Sequence, residues 1–236
     1  MTQSGKVAVI TGASHGIGAG LATAYRRAGY AVVAVARSMP RSDEADLLTV
    51  EGDVTQAETG KRVVERTLDR FGRIDSLVNN AGIFISKPFT EYTVDDYAAI
   101  TAVNLAGFFH VTQPVIRQMV TQGAGHVVQI STTLVDHARS DSPSALTSLT
   151  KGGLVAATRA LAIEYASRGV RVNAVSLGVI ETPVYDAASY EGLGAVHPLG
   201  RVGEISDVVD GILYLERAPF VTGEILHIDG GQVAGA

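Results

Sequence analysis

A doubly wound α/β domain is the fold this sequence predicts, and three observations carry it. Short, mostly apolar runs of strand length (Val7–Ile10, Ala31–Ala36, Leu47–Val50, His126–Ile130) alternate with longer stretches whose apolar residues recur at helical spacing. The first run passes directly into Gly12, Gly16 and Gly18, and then into Leu21, Ala22, Ala24 and Tyr25 at helical intervals. The 236 residues are enough for one such domain with a full core, and 46% apolar residues with a mean hydropathy of +0.21 describe a well-buried globular chain. A single domain over 1–236 accounts for the whole sequence.

Composition excludes several classes of function. Nineteen basic against 24 acidic residues leave a net charge of −5, and no basic stretch is interleaved with aromatics, so no nucleic-acid partner is expected. Arg26-Arg27 and Lys61-Arg62 read as solvated helix faces. Without cysteine there is no disulfide, thiolate zinc site or cysteine nucleophile, and the six histidines form no helical pair with a carboxylate, so no metal is expected. The first strand begins by about residue 6, which leaves no room for a signal peptide. No uncharged apolar run reads as long enough to span a bilayer. The expectation is a cytoplasmic protein without a membrane partner.

Strand, glycine turn and helix in succession place a phosphate on the unpaired N–H groups of a helix N-terminus. Gly12 suits the tight turn, Gly16 lets the backbone approach a pyrophosphate, and Gly18 lets the helix pack closely. No Gly-Lys-Ser/Thr ending follows, which excludes a nucleotide-triphosphatase loop. The second strand ends in Ala36-Arg37-Ser38. A carboxylate there would accept from the ribose 2′-hydroxyl of NAD, whereas the Arg37 guanidinium forks onto a 2′-phosphate. NADP(H) is therefore the preferred cofactor, with NAD(H) as the alternative.

Between Arg37 and the third strand there is room for only a turn or two, at Ser42–Glu44. Asp53-Val54 follows that strand, where an adenine would lie. Thr55 and Glu58 have capping-box spacing for a helix with Val63, Val64 and Leu68 on its apolar face, ending at Gly72. Leu77-Val78 marks the fourth strand, and Thr93 with Asp96 marks a further helix start. Residues 102–121 then form a helix that is apolar on more than one face, with Pro114 inside it. A sixth strand around Asn173–Ser176, a helix over Ser206–Glu216 and a last strand over Glu224–Ile228 complete seven strands.

Several motifs together resemble the short-chain dehydrogenase/reductase family. They are Thr11-Gly12-Ala13-Ser14-His15-Gly16-Ile17-Gly18, Asn79-Asn80-Ala81-Gly82, Asn104 between Val103 and Leu105, Lys151 in Thr150-Lys151-Gly152-Gly153, and Ile228-Asp229-Gly230-Gly231. They run in family order along nearly the whole chain. The resemblance implies a Rossmann-type domain with a seven-stranded parallel sheet and helices on both faces. It implies that Asn80, Ala81 and Gly82 line the adenosine side of the cofactor, that Asn104 organises a relay water, and that Thr182 meets the nicotinamide carboxamide or the pyrophosphate. It also implies that Lys151 orients the ribose, and that the long helix pairs with the one carrying Lys151 in a homodimer or homotetramer.

The pattern is broken where the proton moves. In the family a tyrosine stands four residues before the lysine, one helical turn away, so the two share a face. Here that position is Thr147, and no tyrosine lies between Tyr97 and Tyr165. An aliphatic hydroxyl titrates as high as water does, and a neighbouring ammonium does not bring it to neutrality. Thr147 with Ser148 would then position a donor water, or Asp136 or His137 would enter from the loop. The family serine falls on Ser131 or Thr132, with Thr132 the closer match by count from Gly125. The stretch from Thr132 to Thr147 is two residues longer than the family's, a remodelled loop at Asp136–Ser144, and Leu177 replaces a proline before Gly178. Residues 183–200 form a substrate-side lid in which Tyr185, Tyr190 and His197 chiefly pack, with supply of a proton from the lid as the alternative use of each. The expected function is NADP(H)-dependent interconversion of a small-molecule alcohol and carbonyl with atypical proton donation. The alternative is a catalytically impaired NADP(H)-binding pseudoenzyme with a sensing or regulatory role.

Overall fold

The computed structural model describes residues 5–182, 190 and 192–235. Seven strands, β1 (Val7–Thr11), β2 (Ala31–Ala36), β3 (Leu47–Glu51), β4 (Ser76–Asn79), β5 (Gly125–Thr132), β6 (Val170–Leu177) and β7 (Ile225–Ile228), form one parallel sheet in the order β3-β2-β1-β4-β5-β6-β7. The expected architecture is the observed one. The order reverses between β1 and β4, and a crevice for ligand opens at the carboxyl ends of strands at such a switch point.

Burial on both faces explains the unbroken apolar runs of β1 and β2. Odd and even positions feed two cores: Val7, Val9, Val33 and Val35 pack toward α2 (Ala57–Phe71) and α4 (Gly107–Gln122), while Ala8, Ile10, Val32 and Ala34 pack toward α1 (Gly16–Arg27) and α6 (Ile205–Arg217). The β2–β3 connection contains no helix. Arg26 pins it by donating to Asp46 from Nε at 3.0 Å and from Nη2 at 2.9 Å, with Glu44 as a further partner.

The expected Thr55–Glu58 capping box is not formed. Helix α2 starts one residue later, with Gln56 at its N-cap, because Asp53 Oδ1 takes the Thr55 N–H at 2.9 Å and the Asp53 carbonyl accepts from Thr59 Oγ1 at 2.6 Å. The Thr93–Asp96 box is present, opening α3 (Val94–Thr101). That helix continues through a π-helical turn, Ala102–Ala106, into α4, and then past Pro114 to Gly123 at φ 74°. By length and composition alone residues 94–122 are long and apolar enough to cross a membrane, although the stretch is not the uncharged run of the sequence expectation, since it carries Asp95, Asp96 and Arg117. Their apolar stripe is used in the core: Val111, Val115, Ile116 and Met119 are at most 4% exposed. Pro114 offers no N–H to the His110 carbonyl one turn earlier, and α2 closes on that carbonyl. A Cβ on Gly60 would lie 1.9 Å from it.

Candidate active site

The crevice is built around Thr11, at the end of β1. Its Oγ1 accepts the N–H groups of Asn80 and Ala81, each at 3.0 Å, and Asn80 Nδ2 donates back to the carbonyls of Thr11 (2.9 Å) and Gly12 (3.1 Å). Asn80 therefore ties the glycine turn to β4. Gly12 and Gly16 sit at φ 65° and 55°, where a side chain is strained. A Cβ on Gly18 would fall 2.2 Å from the Gly12 carbonyl, so this glycine packs the helix against the turn itself.

Helix α1 begins at Gly16 with no side-chain cap from His15 and no acidic residue in its first turn. Its first N–H groups are left to a ligand. Ser14 and His15 are exposed and bonded to each other at 2.9 Å, while Ile17 packs into the core. Thr182 stands over the turn, 3.7 Å from where a Gly16 Cβ would lie. Arg37 is exposed, with no hydrogen bond or ion pair among the described residues, whereas Asp53 and Val54 are partly committed to the start of α2 and to Gly107. An uncapped helix end, a turn without side chains and an unpaired guanidinium suit a dinucleotide carrying negative charge. These residues fit a nicotinamide dinucleotide.

On the other side of the switch point, the π-helical turn presents Asn104. Its Oδ1 accepts the Ile83 N–H at 2.9 Å, and its Nδ2 donates to the Ile83 carbonyl (3.0 Å) and to Thr150 Oγ1 (3.1 Å). Lys151, on α5 (Ala145–Tyr165), donates from Nζ to the Ile130 carbonyl at 2.7 Å, which leaves further donors on the ammonium. Gly82 provides its space, since a Cβ there would stand 3.0 Å from Nζ. Burial pulls Lys151 down to about 8. The structure thus brings Asn104, Lys151, Gly82 and the glycine turn together.

Several expected participants are placed elsewhere. Thr147 is 2% exposed, and its hydroxyl accepts from the Ile85 N–H and donates to the Ile85 carbonyl, both at 3.3 Å. Ser148 donates to the Leu134 carbonyl at 2.9 Å. Both hydroxyls expected to position a donor water are occupied by loop backbone. Ser131 is buried with no partner for its hydroxyl among the described residues, whereas Thr132 lines a cleft of about 630 Å³ between the β5 loop and the segment after β6. Neither Asp136 nor His137 lines that cleft. Asp136 turns toward the β6–β7 edge, where His227 Nε2 of β7 lies at 3.2 Å and Ser176 Oγ of β6 at 3.4 Å.

Of the lid, 183–189 and 191, with Tyr185, lie outside the described residues. His197 is 3% exposed, and its Nε2 accepts the Val179 N–H at 3.1 Å, a packing role as expected. Tyr190 lines the cleft, and its hydroxyl accepts the Thr182 N–H at 3.0 Å. Sequence reasoning missed Arg139, which lines the cleft while Nε donates to Asp141 Oδ1 at 2.9 Å. The signal was an Arg-x-Asp triplet inside the lengthened loop.

The fold and this crevice define a dinucleotide-binding oxidoreductase. The chain belongs to the short-chain dehydrogenase/reductase family: the family model described as enoyl-(acyl carrier protein) reductase matches residues 12–232. It is an oxidoreductase acting on CH–OH groups. It is 36% identical over 248 residues to the 3-oxoacyl-[acyl-carrier-protein] reductase FabG of Thermotoga maritima, covering 99% of this chain and 100% of that one. Among solved structures it resembles ElxO with NADP bound (TM-score 0.91, 29% identity, 98% of this chain and 99% of that one). It also resembles the 3-ketoacyl-(acyl-carrier-protein) reductase from Brucella melitensis complexed with NADH (TM-score 0.88, 30% identity, 98% and 100%).

Proposed function

We propose that this chain is an NADP(H)-dependent reductase or dehydrogenase that interconverts a small-molecule carbonyl and its alcohol, with proton donation that bypasses residue 147. The exposed, unpaired guanidinium of Arg37 at the end of β2, with no carboxylate there, carries the cofactor preference. Charge-assisted hydrogen bonds from such a fork to a 2′-phosphate are among the stronger polar contacts available. The glycine turn and the start of α1 would hold the pyrophosphate, Thr182 would cover it, and the Lys151 ammonium would meet the nicotinamide ribose. A bound dihydronicotinamide supplies the hydride.

Thr132 would bond the substrate oxygen from the wall of the cleft. Asn104 holds the Ile83 backbone and Thr150 in register beside Lys151, the position from which it would organise a relay water. The apolar cleft walls, with Phe84, Leu134, Leu177 and Ile180, favour a carbonyl with a hydrocarbon body. Helices α4 and α5 expose Phe109 (54%) and Leu149 (61%), in keeping with a homodimer or homotetramer paired along these helices.

The test is NADPH and NADH oxidation with a panel of ketones, aldehydes and 3-oxoacyl thioesters. NADPH-dependent turnover that exceeds NADH-dependent turnover is expected. Tight NADPH binding with no turnover on any carbonyl would sink the oxidoreductase assignment of this site in favour of a cofactor-binding pseudoenzyme, the reading that the occupied Thr147 hydroxyl favours.

A further inference from the structure

Carbonyl reduction needs a proton as well as a hydride, and the residues that line the cleft restrict where that proton comes from. Thr132, Thr133 and Ser142 carry aliphatic hydroxyls, which titrate as high as water does, far above neutrality. A guanidinium such as that of Arg139 does not deprotonate in proteins. Asp141 carries no proton at neutral pH, because its bond with Arg139 holds it below the usual carboxylate range. Among the described residues, the remaining acid–base group on the wall is the phenol of Tyr190.

Its position suits the task. The Tyr190 hydroxyl accepts the Thr182 N–H at 3.0 Å, lies 3.4 Å from Thr182 Oγ1, and rests its proton on the Thr182 carbonyl at 3.3 Å, a long bond that a substrate oxygen in the adjoining cleft would replace. Thr182 in turn stands over the Gly16 turn that fits the cofactor phosphates. The phenol is thus held where the substrate cleft meets the cofactor crevice, on the segment after β6 and not on α5. We propose that Tyr190 is the catalytic proton donor of this enzyme, taking the part that Thr147 cannot play; the assignment rests on the carbonyl–alcohol reading above.

In the reduction direction the hydride forms the new C–H bond and the C=O π pair passes to oxygen. The Tyr190 O–H bond breaks as its proton joins that oxygen. The phenolate then regains a proton from solvent, and the cofactor leaves oxidised. In alcohol oxidation the same phenolate accepts the hydroxyl proton.

The experiment compares wild type with Tyr190→Phe. Removal of a positioned general acid lowers kcat by about 10²–10⁴-fold. The Kd for NADPH, read by nucleotide fluorescence, is expected to change less than about threefold, because the phenyl ring remains and no charge is lost. A second readout needs no turnover: tetranitromethane nitration of Tyr190, followed by peptide mass, should be slowed severalfold by NADP⁺. A Phe variant with near wild-type kcat overturns the assignment and leaves the oxidoreductase reading intact. So does a variant that loses kcat and NADPH binding together, which would mark Tyr190 as a support for Thr182. Nitration indifferent to NADP⁺ also overturns it. A wild type that binds NADPH and reduces nothing overturns both.

Discussion

The Thr147 hydroxyl is paired with the backbone of Ile85 in both directions, accepting its N–H and donating to its carbonyl at 3.3 Å each. At 2% exposure the side chain is a stitch between α5 and the irregular segment that follows Gly82. The hydroxyl is the partner of the Ile85 N–H, and it shares the Ile85 carbonyl with Tyr92, whose hydroxyl donates to it at 2.9 Å.

Thr147→Val tests the stitch, since valine keeps the shape and removes both bonds. Leaving the Ile85 N–H unpaired, while the Tyr92 hydroxyl keeps the carbonyl satisfied, costs about 1–3 kcal/mol. The urea midpoint should fall accordingly with the m-value unchanged. An unaltered midpoint would show that the hydroxyl does not bear on Ile85.

The frame of the molecule was legible in the sequence because its strands are buried on both faces. Continuous apolar runs such as that at Ala31–Ala36 leave little ambiguity, and observed and expected bounds of that strand coincide. The glycine turn was legible for a related reason: Gly12 and Gly18 sit where any Cβ meets backbone. Long-range polar pairing was not legible. Nothing near Thr55 reports that Asp53 takes its N–H, and nothing near Asp136 reports that His227, from β7, draws it away from the cleft. Thr132 and Ser131 are adjacent in sequence and opposite in fate, because successive strand residues point to opposite faces.

Close packing of α2 on α4 sets a second prediction. A Cβ at Gly60 would lie 1.9 Å from the His110 carbonyl, the one that Pro114 leaves without an intrahelical N–H. Gly60→Ala must push two helices apart, at a cost of about 1–3 kcal/mol or more. Gly153, exposed on α5, has only Leu105 at 3.7 Å from its notional Cβ. Gly153→Ala should therefore stabilise by about 0.5–1 kcal/mol through helix propensity. Thermal denaturation of the two variants should move in opposite directions, and a tolerated Gly60→Ala would refute the tight crossing.

Cofactor choice turns on Arg37. Loss of a charge-assisted fork worth about 1.5–3 kcal/mol corresponds to a ten- to hundredfold weaker Kd. Arg37→Ala should weaken NADPH by about that factor and leave NADH within about twofold. Equal losses for both nucleotides would place the guanidinium away from the 2′-phosphate.

Lys151 makes the site pH-dependent from a known direction. Burial lowers it from 10.5 to about 8, because the Nζ ammonium is desolvated, with the Ile130 carbonyl as its partner. The folded chain therefore gives up this proton before the unfolded chain does, and the residue's contribution to stability rises with pH between those two values. Cofactor affinity should run the other way. Below about 8 the ammonium is present to meet the dinucleotide; above it the free protein holds a neutral amine and must take up a proton to restore that contact. The Kd for NADPH is thus expected to be flat up to that point and then to rise by as much as tenfold per pH unit. Lys151→Met should bind more weakly at pH 7 and show no break. A wild-type Kd that stays constant through pH 10 would mean that the Lys151 charge takes no part in holding the nucleotide.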